Sequence, residues 1–148
     1  MTPTDLIERH VDALLDRIRS DPQLADNPGG AIPKSVFEGD VKGDPERYVN
    51  VWHDTGFFEP RSMLGEHQDV DITFTIHSVG DDRWQATWVD GRVLAALNDV
   101  VLEVPGRRCW KLQPAGSQPV QKDDDVVPVK FFAVRRFVLH SIPLRETP

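Results

Sequence analysis

From Asp69 to Val79 the chain alternates, with Val70, Ile72, Phe74 and Ile76 on one side and Asp69, Asp71, Thr73, Thr75 and His77 on the other. Period-two patterning of this length predicts a β-strand with one apolar and one polar face. Such a strand needs partners on both edges and apolar cover on its inner face. Candidate partners are a short extended piece around Val36-Phe37, the β-branched and aromatic run Arg47 to Trp52, an apolar run over 100–104, and Arg108 to Leu112 after the Pro105-Gly106 turn. The last candidate, Val126 to Ile142, is long and apolar on two sides. Val129, Phe131, Ala133, Phe137 and Leu139 form one face, against Phe132, Val134 and Val138. A strand apolar on both faces needs cover on both. A bulge near Arg135-Arg136 would remove that need by exchanging the faces midway.

Two helices are predicted to supply the cover. In the first, Thr2 caps, Pro3 suits the first helical position, and Ile7, Val11, Leu14, Leu15 and Ile18 share one face until Ser20-Asp21-Pro22 stops it. The second opens at Gly80-Asp81-Asp82 with an Asp as cap; Ala86, Val89, Val93 and Leu97 mark its inner face, and Trp84 and Trp88 add a second apolar edge. Gly91 sits mid-helix at a cost of about 1 kcal/mol relative to Ala, which suggests close packing there. The expected fold is a single α+β domain over 1–148, an antiparallel or mixed sheet with two helices packed on one face. Segments 21–46 and 113–125, rich in Pro, Gly and polar residues, are expected to be flexible. Two helices cover one face of such a sheet, so another molecule is expected to cover part of the second.

Composition narrows the function. The chain has 148 residues and a net charge of −7, which argues against a generic nucleic-acid binder, since phosphate contact needs Lys and Arg. Charge is also unevenly placed: residues 1–103 carry 20 acids against 9 bases, residues 104–148 carry 4 against 8. Such a split suits a head-to-tail contact between copies, although a soluble surface with local fluctuation has the same signature. A single cysteine rules out an internal disulfide. No secretory signal and no stretch of about 18 apolar residues appears, so a soluble chain is expected.

Residues suited to chemistry are few and scattered along the chain. His10, His53, His67, His77 and His140 lack the spacing of a helical metal site, and are expected to be solvated or structurally hydrogen-bonded. Cys109, between Arg108 and Trp110, is expected to be a buried structural residue. Asp123-Asp124-Asp125 lacks the spaced ligands of a calcium loop and is expected to be solvated. Asp69 and Asp71, about 7 Å apart along a strand, are expected to bridge salt or be solvated. No nucleophile elbow, P-loop or dinucleotide glycine pattern is present. Neither catalysis, a metal nor a cofactor is expected. The connection from His53 to Gln68 is unusually apolar, and apolar loop residues either tuck under their own domain or mark a covered surface. Gly56, Phe57, Phe58, Met63 and Leu64 there, with Phe132, Val134, Arg136 and Val138 on the closing strand, are the candidate protein-interface residues.

The chain resembles the tail terminator, or tail completion, proteins of long-tailed bacteriophages, particularly those infecting actinobacteria. The resemblance runs through Leu6 to Ile18, Tyr48 to Phe57, His67 to Gly80, Arg92 to Asn98, Val104-Pro105-Gly106-Arg107 and Phe131 to Ser141, without a single diagnostic fingerprint. It implies a non-enzymatic ring, usually of six copies, that caps the tail tube, stops its polymerisation and docks the head-side connector. The implied partners are other copies, the tail tube protein and the connector or stopper, with DNA sliding through an acidic bore. The implied place is the head-proximal end of the virion tail, after assembly in the host cytoplasm. Another neck protein, or a small-molecule-binding α+β domain or enzyme, are the competing expectations.

Overall fold

The computed structural model describes residues 3–21, 36–39, 41, 47–54, 57–59, 69–125 and 129–144. Helix α1 is Pro3–Arg19 and helix α2 is Arg83–Leu97. The strands are β1 Val36–Glu38, β2 Tyr48–His53, β3 Phe57–Glu59, β4 Asp69–Gly80, β5 Arg107–Cys109, β6 Gln113–Asp123 and β7 Lys130–Pro143.

The alternating segment 69–79 becomes β4, a central strand of a seven-stranded mixed sheet. One edge of β4 takes β2 along residues 74–79 and β3 along 69–71, both antiparallel. The other edge pairs with β7 over eleven consecutive residues, from Val70↔Ser141 to Gly80↔Phe131. Beyond β7 lie β6 and β5, and beyond β2 lies β1, the parallel member. The unbroken β4–β7 register excludes the bulge at Arg135-Arg136. Strand β7 keeps its two faces throughout, so both need cover.

Both helices lie on one face. The α1 stripe of Leu6, Val11, Leu14, Leu15 and Ile18 and the α2 stripe of Ala86, Val89, Val93 and Leu97 are buried, most against Val49, Val51, Ile72, Phe74, Ile76, Phe137 and Leu139 of the sheet. Polar ties fasten the layer: Arg17 Nε donates to the Ala96 carbonyl at 3.0 Å, Arg19 donates to the Val36 carbonyl at 2.9 Å, and Arg92 bridges to Asp21 at 2.9 Å. Asp82 caps α2 by accepting from the Gln85 amide at 2.8 Å. The proposed cap of α1, Thr2, lies outside the described residues.

Four expectations need correction. Segment 113–125 contains a strand, β6, whose residues are nearly all exposed. With water on both faces it has no hydrophobic period to betray it; the β7 ladder makes it a strand, and register shifts after Pro114 and after Gln118 absorb its irregularities. Residues 57–59 of the apolar connection are a strand too, paired with β4. Residues 100–104 form no strand: Leu102 and Val104 are buried, and a lone bridge joins Val101 to Lys111. Gly91 meets no atom within 4 Å, so close packing is not its reason. The tight approach is at Gly80, where an added Cβ would stand 2.6 Å from Gln85 Cβ and 2.7 Å from the Ala86 amide nitrogen. There α2 folds straight back over the strand end.

Candidate interaction surface

Because β4 pairs with β2 and β7 without interruption, the register maps the face that the helices leave open. Side chains of a strand alternate between faces, and registered residues share one. Across β2, β4 and β7 the rows are Tyr48, Val79, Phe132; then Asn50, His77, Val134; then Trp52, Thr75, Arg136; then Thr73, Val138; then Asp71, His140. Four of the expected interface residues, Phe132, Val134, Arg136 and Val138, therefore form one column. Val134 is buried and the other three are half-buried. Phe57 and Phe58 pair with Asp71 and Val70 in the backbone register; Gly56, Met63 and Leu64 lie outside the described residues.

Aromatic rings populate this face. His77 stacks on Phe132 with centroids 5.8 Å apart and planes 9° from parallel. Burial, and secondarily the charge of Arg136, push the His77 pKa below its ordinary value, so the ring on this face is neutral near pH 7. Lower down, His140 Nδ1 lies 2.5 Å from Asp71 Oδ1, and Trp110 packs edge-on against the His140 ring at 4.8 Å. A cavity of about 160 Å³ opens beside Tyr48, His77, Phe132 and Lys130. Lys130 is held at its rim by an ion pair with Asp81.

All four tryptophans of the chain are exposed: Trp52 by 48%, Trp84 by 79%, Trp88 by 37% and Trp110 by 46%. Indole carries a large apolar area, so these four rings leave substantial apolar surface in contact with water. Trp52 and Trp110 belong to the open face. Trp84 and Trp88 stand one turn apart on the outer side of α2, where Arg47 lies over the Trp88 ring at 5.6 Å. They extend no core edge. Sequence reasoning did not single out Trp52, Tyr48, His77 and Trp110, which come together only through pairing of distant segments; the low hydrophobic share of 39% alongside four Trp was the available signal.

The free edge beyond β7 is β6. It holds Pro114 and Pro119 and two irregularities of register. Prolines and bulges on an edge strand oppose addition of a further strand. Side-chain faces are the more suitable contact surface here than this edge.

One buried constellation resembles a catalytic pair. His10 Nε2 lies 2.6 Å from Ser141 Oγ, and both residues are wholly buried. His10 Nδ1 lies 2.7 Å from the Leu6 carbonyl, so Nδ1 carries the proton and donates. Ser141 then donates to Nε2 and accepts from Arg107 Nε at 3.2 Å, while Arg107 also donates to the Ser141 carbonyl at 3.0 Å. The imidazole N–H and the Ser141 hydroxyl hydrogen are both used when the imidazole is neutral. Burial lowers the His10 pKa and so favours that form. The set pins α1 to β7 and β5, matching the structurally hydrogen-bonded imidazole expected from sequence. Its position on the apolar stripe, one turn from Leu6 and from Leu14, was the sequence signal. Cys109 is half-buried, and burial raises its thiol pKa, which keeps the thiol protonated. Asp71 is engaged with His140 while Asp69 is buried, so the two acids do not act as a pair. Among the described residues no three of His, Cys, Asp and Glu converge in the manner of a metal site, and no helix is long and apolar enough to cross a membrane.

No family model matches the chain, and neither does any curated protein. Solved structures do. A chain from the virion of a native gene transfer agent particle superposes with a TM-score of 0.66 at 16% identity, covering 88% of this chain and 92% of that one. A second solved chain, whose description states no function, gives a TM-score of 0.62 at 14% identity over 94% of this chain and 97% of its own length. At such identities the likeness establishes a shared fold along nearly the whole length: a mixed sheet with two helices, in the α+β class.

Proposed function

We propose that this protein is a non-enzymatic structural component of a phage-type virion, which closes into a ring, caps the tail tube and presents a docking face to the head-side connector. The observation that carries the proposal is the open sheet face. Tyr48, Trp52, Phe132 and Val138 sit on the side that neither helix covers and stay partly exposed, around the buried Val134. Apolar and aromatic surface of this kind is what an interface core uses. The shared fold with a virion chain supports the same reading, as does the resemblance to tail terminators from Leu6 to Ser141. On this reading the ring has six copies at the head-proximal end of the tail, and its mechanism is steric: the last tube layer is covered and a new surface replaces it. DNA passes through without specific contact, in accord with the net charge of −7.

The test is assembly. Purified protein followed by light scattering and negative-stain imaging over a wide concentration range, alone and with polymerising tail tube protein, should give closed rings and tubes of arrested length. A chain that stays monomeric at every concentration and leaves tube growth unaltered would overturn the proposal. Binding to a head connector without any effect on tube length would favour another neck component instead.

A further inference from the structure

Two adjacent arginines on β7 have opposite fates. Arg135, on the helix side, is bridged by Asp90 of α2 at 2.8 Å. Arg136, on the open face, is half-buried, and no hydrogen bond or ion pair reaches its guanidinium among the described residues. Its registered neighbours are Thr75 on β4 and, one strand further, Trp52. Two acids near this face are engaged elsewhere, Asp71 with His140 and Glu38, at the sheet margin, with His53. Arg136 also helps to lower the His77 pKa, a repulsion felt by the protonated ring. A half-desolvated guanidinium without a counter-ion costs free energy, and a carboxylate from outside would recover it in a bidentate pair.

The same chain displays such carboxylates. The turn between β6 and β7 carries Asp123-Asp124-Asp125, where Asp124 and Asp125 are exposed. Among the described residues Asp124 holds only a solvent-exposed bridge to Lys122, at 3.2 Å, and Asp123 accepts from the Asp125 amide, which shapes the turn. This hairpin tip lies at the end of the sheet, beyond the Lys130 pairing of β6 with β7. Arg136 lies six residues further along β7, roughly 20 Å at the rise of a strand. The two patches are therefore separate on one molecule, and joining them between molecules gives a head-to-tail contact, the type that closes rings.

We infer that the occupant of the open sheet face is a second copy, whose Asp124-Asp125 hairpin tip pairs with Arg136 while the surrounding aromatic surface is covered. This rests on the ring reading above and assigns its contact. The cost of the exposed acidic turn and that of the unpaired Arg136 are then offset together. Because the pair is charged, assembly should weaken as salt rises.

The experiment is a charge swap in the full chain. Arg136→Glu alone and Asp124→Lys with Asp125→Lys alone should each weaken self-association at least about tenfold, as expected for a broken interfacial charge pair. Both changes combined in one chain should restore it, because the introduced carboxylate then faces the two introduced ammonium groups across the contact. An equimolar mixture of the two variants should recover association for the same reason. Far-ultraviolet circular dichroism and thermal melts confirm that each variant is folded. If the Arg136→Glu variant fails to assemble but the Asp124→Lys, Asp125→Lys variant assembles as wild type, the assigned contact is wrong while the ring reading stands. If both variants form rings but lose the tail tube protein, the face belongs to the tube and the inference is overturned. If wild type forms no ring under any condition, the functional proposal itself has failed.

Discussion

The two faces of one sheet follow different rules in this molecule. Toward the helices, Ile72, Phe74, Ile76, Phe137 and Leu139 are fully or almost fully buried, and the charged residue among them, Arg135, has its carboxylate. On the opposite side the same strands present His77, Phe132, Arg136 and Val138 half-covered, with an aromatic stack in place of a core and, at Arg136, a cation without a carboxylate. The inner face is complete within one chain, while the outer one is only partly covered. The difference shows that apolar content alone does not say which surface serves stability and which serves association. The pairing of charges does, because a surface finished within one molecule leaves few charges half-buried and unpaired.

This contrast can be broken most directly by truncation on the two sides. Phe74→Ala should cost about 3–5 kcal/mol of stability, because a fully buried ring leaves a cavity that the tight core cannot fill. Phe132→Ala should cost well under half as much in urea denaturation, yet reduce self-association. Equal losses of stability would mean that the outer face is core as well.

A second measurement sharpens the contrast between a buried imidazole and a half-buried one. Ser141→Ala should cost about 1–3 kcal/mol, since His10 Nε2 and Arg107 Nε both lose their partner. His10 and His77 have folded pKa values below the ordinary 6.5, so the unfolded chain binds more protons in the window beneath 6.5. Their contribution is full above about pH 6.5 and is lost as pH falls through the lowered folded values. Thermal melts from pH 7.5 down to about 5 should therefore show falling stability, and His10→Gln should flatten that slope more than His77→Gln. A slope unchanged in His10→Gln would count against the assigned tautomer and its neutral state.

The smallest effect concerns α2, whose inner side is packed and whose outer side is bare. Gly91→Ala should stabilise by about 0.5–1 kcal/mol, since the helix gains propensity and the added methyl meets nothing. Gly80→Ala should destabilise, because its Cβ would collide with the first turn of the helix. Paired denaturation curves decide both signs.

Much of the fold was legible. Strand β4 and the buried stripes of both helices announce themselves by period, because one-sided burial imposes a repeat of two or of 3.6 on the residues. The two apolar faces of β7 likewise revealed that a single copy leaves something uncovered. Strand β6 was illegible, since a strand wet on both faces carries no period and owes its form to the ladder with β7. The candidate site was half legible. Phe132, Val134, Arg136 and Val138 stand out along one strand, but Trp52, His77 and Tyr48 join them only through pairing with distant segments.

What the sequence alone determined is therefore local: which residues alternate, where the helices start, and that apolar surface exceeds what two helices cover. Tertiary structure decided everything that depends on register and neighbours. It chose which of two consecutive arginines meets Asp90, joined His10 to Ser141 across 131 positions, and left the indoles outside. The physical reason is that periodicity encodes the side of an element, whereas the partner on that side is set by strand pairing and helix packing between segments remote in the chain.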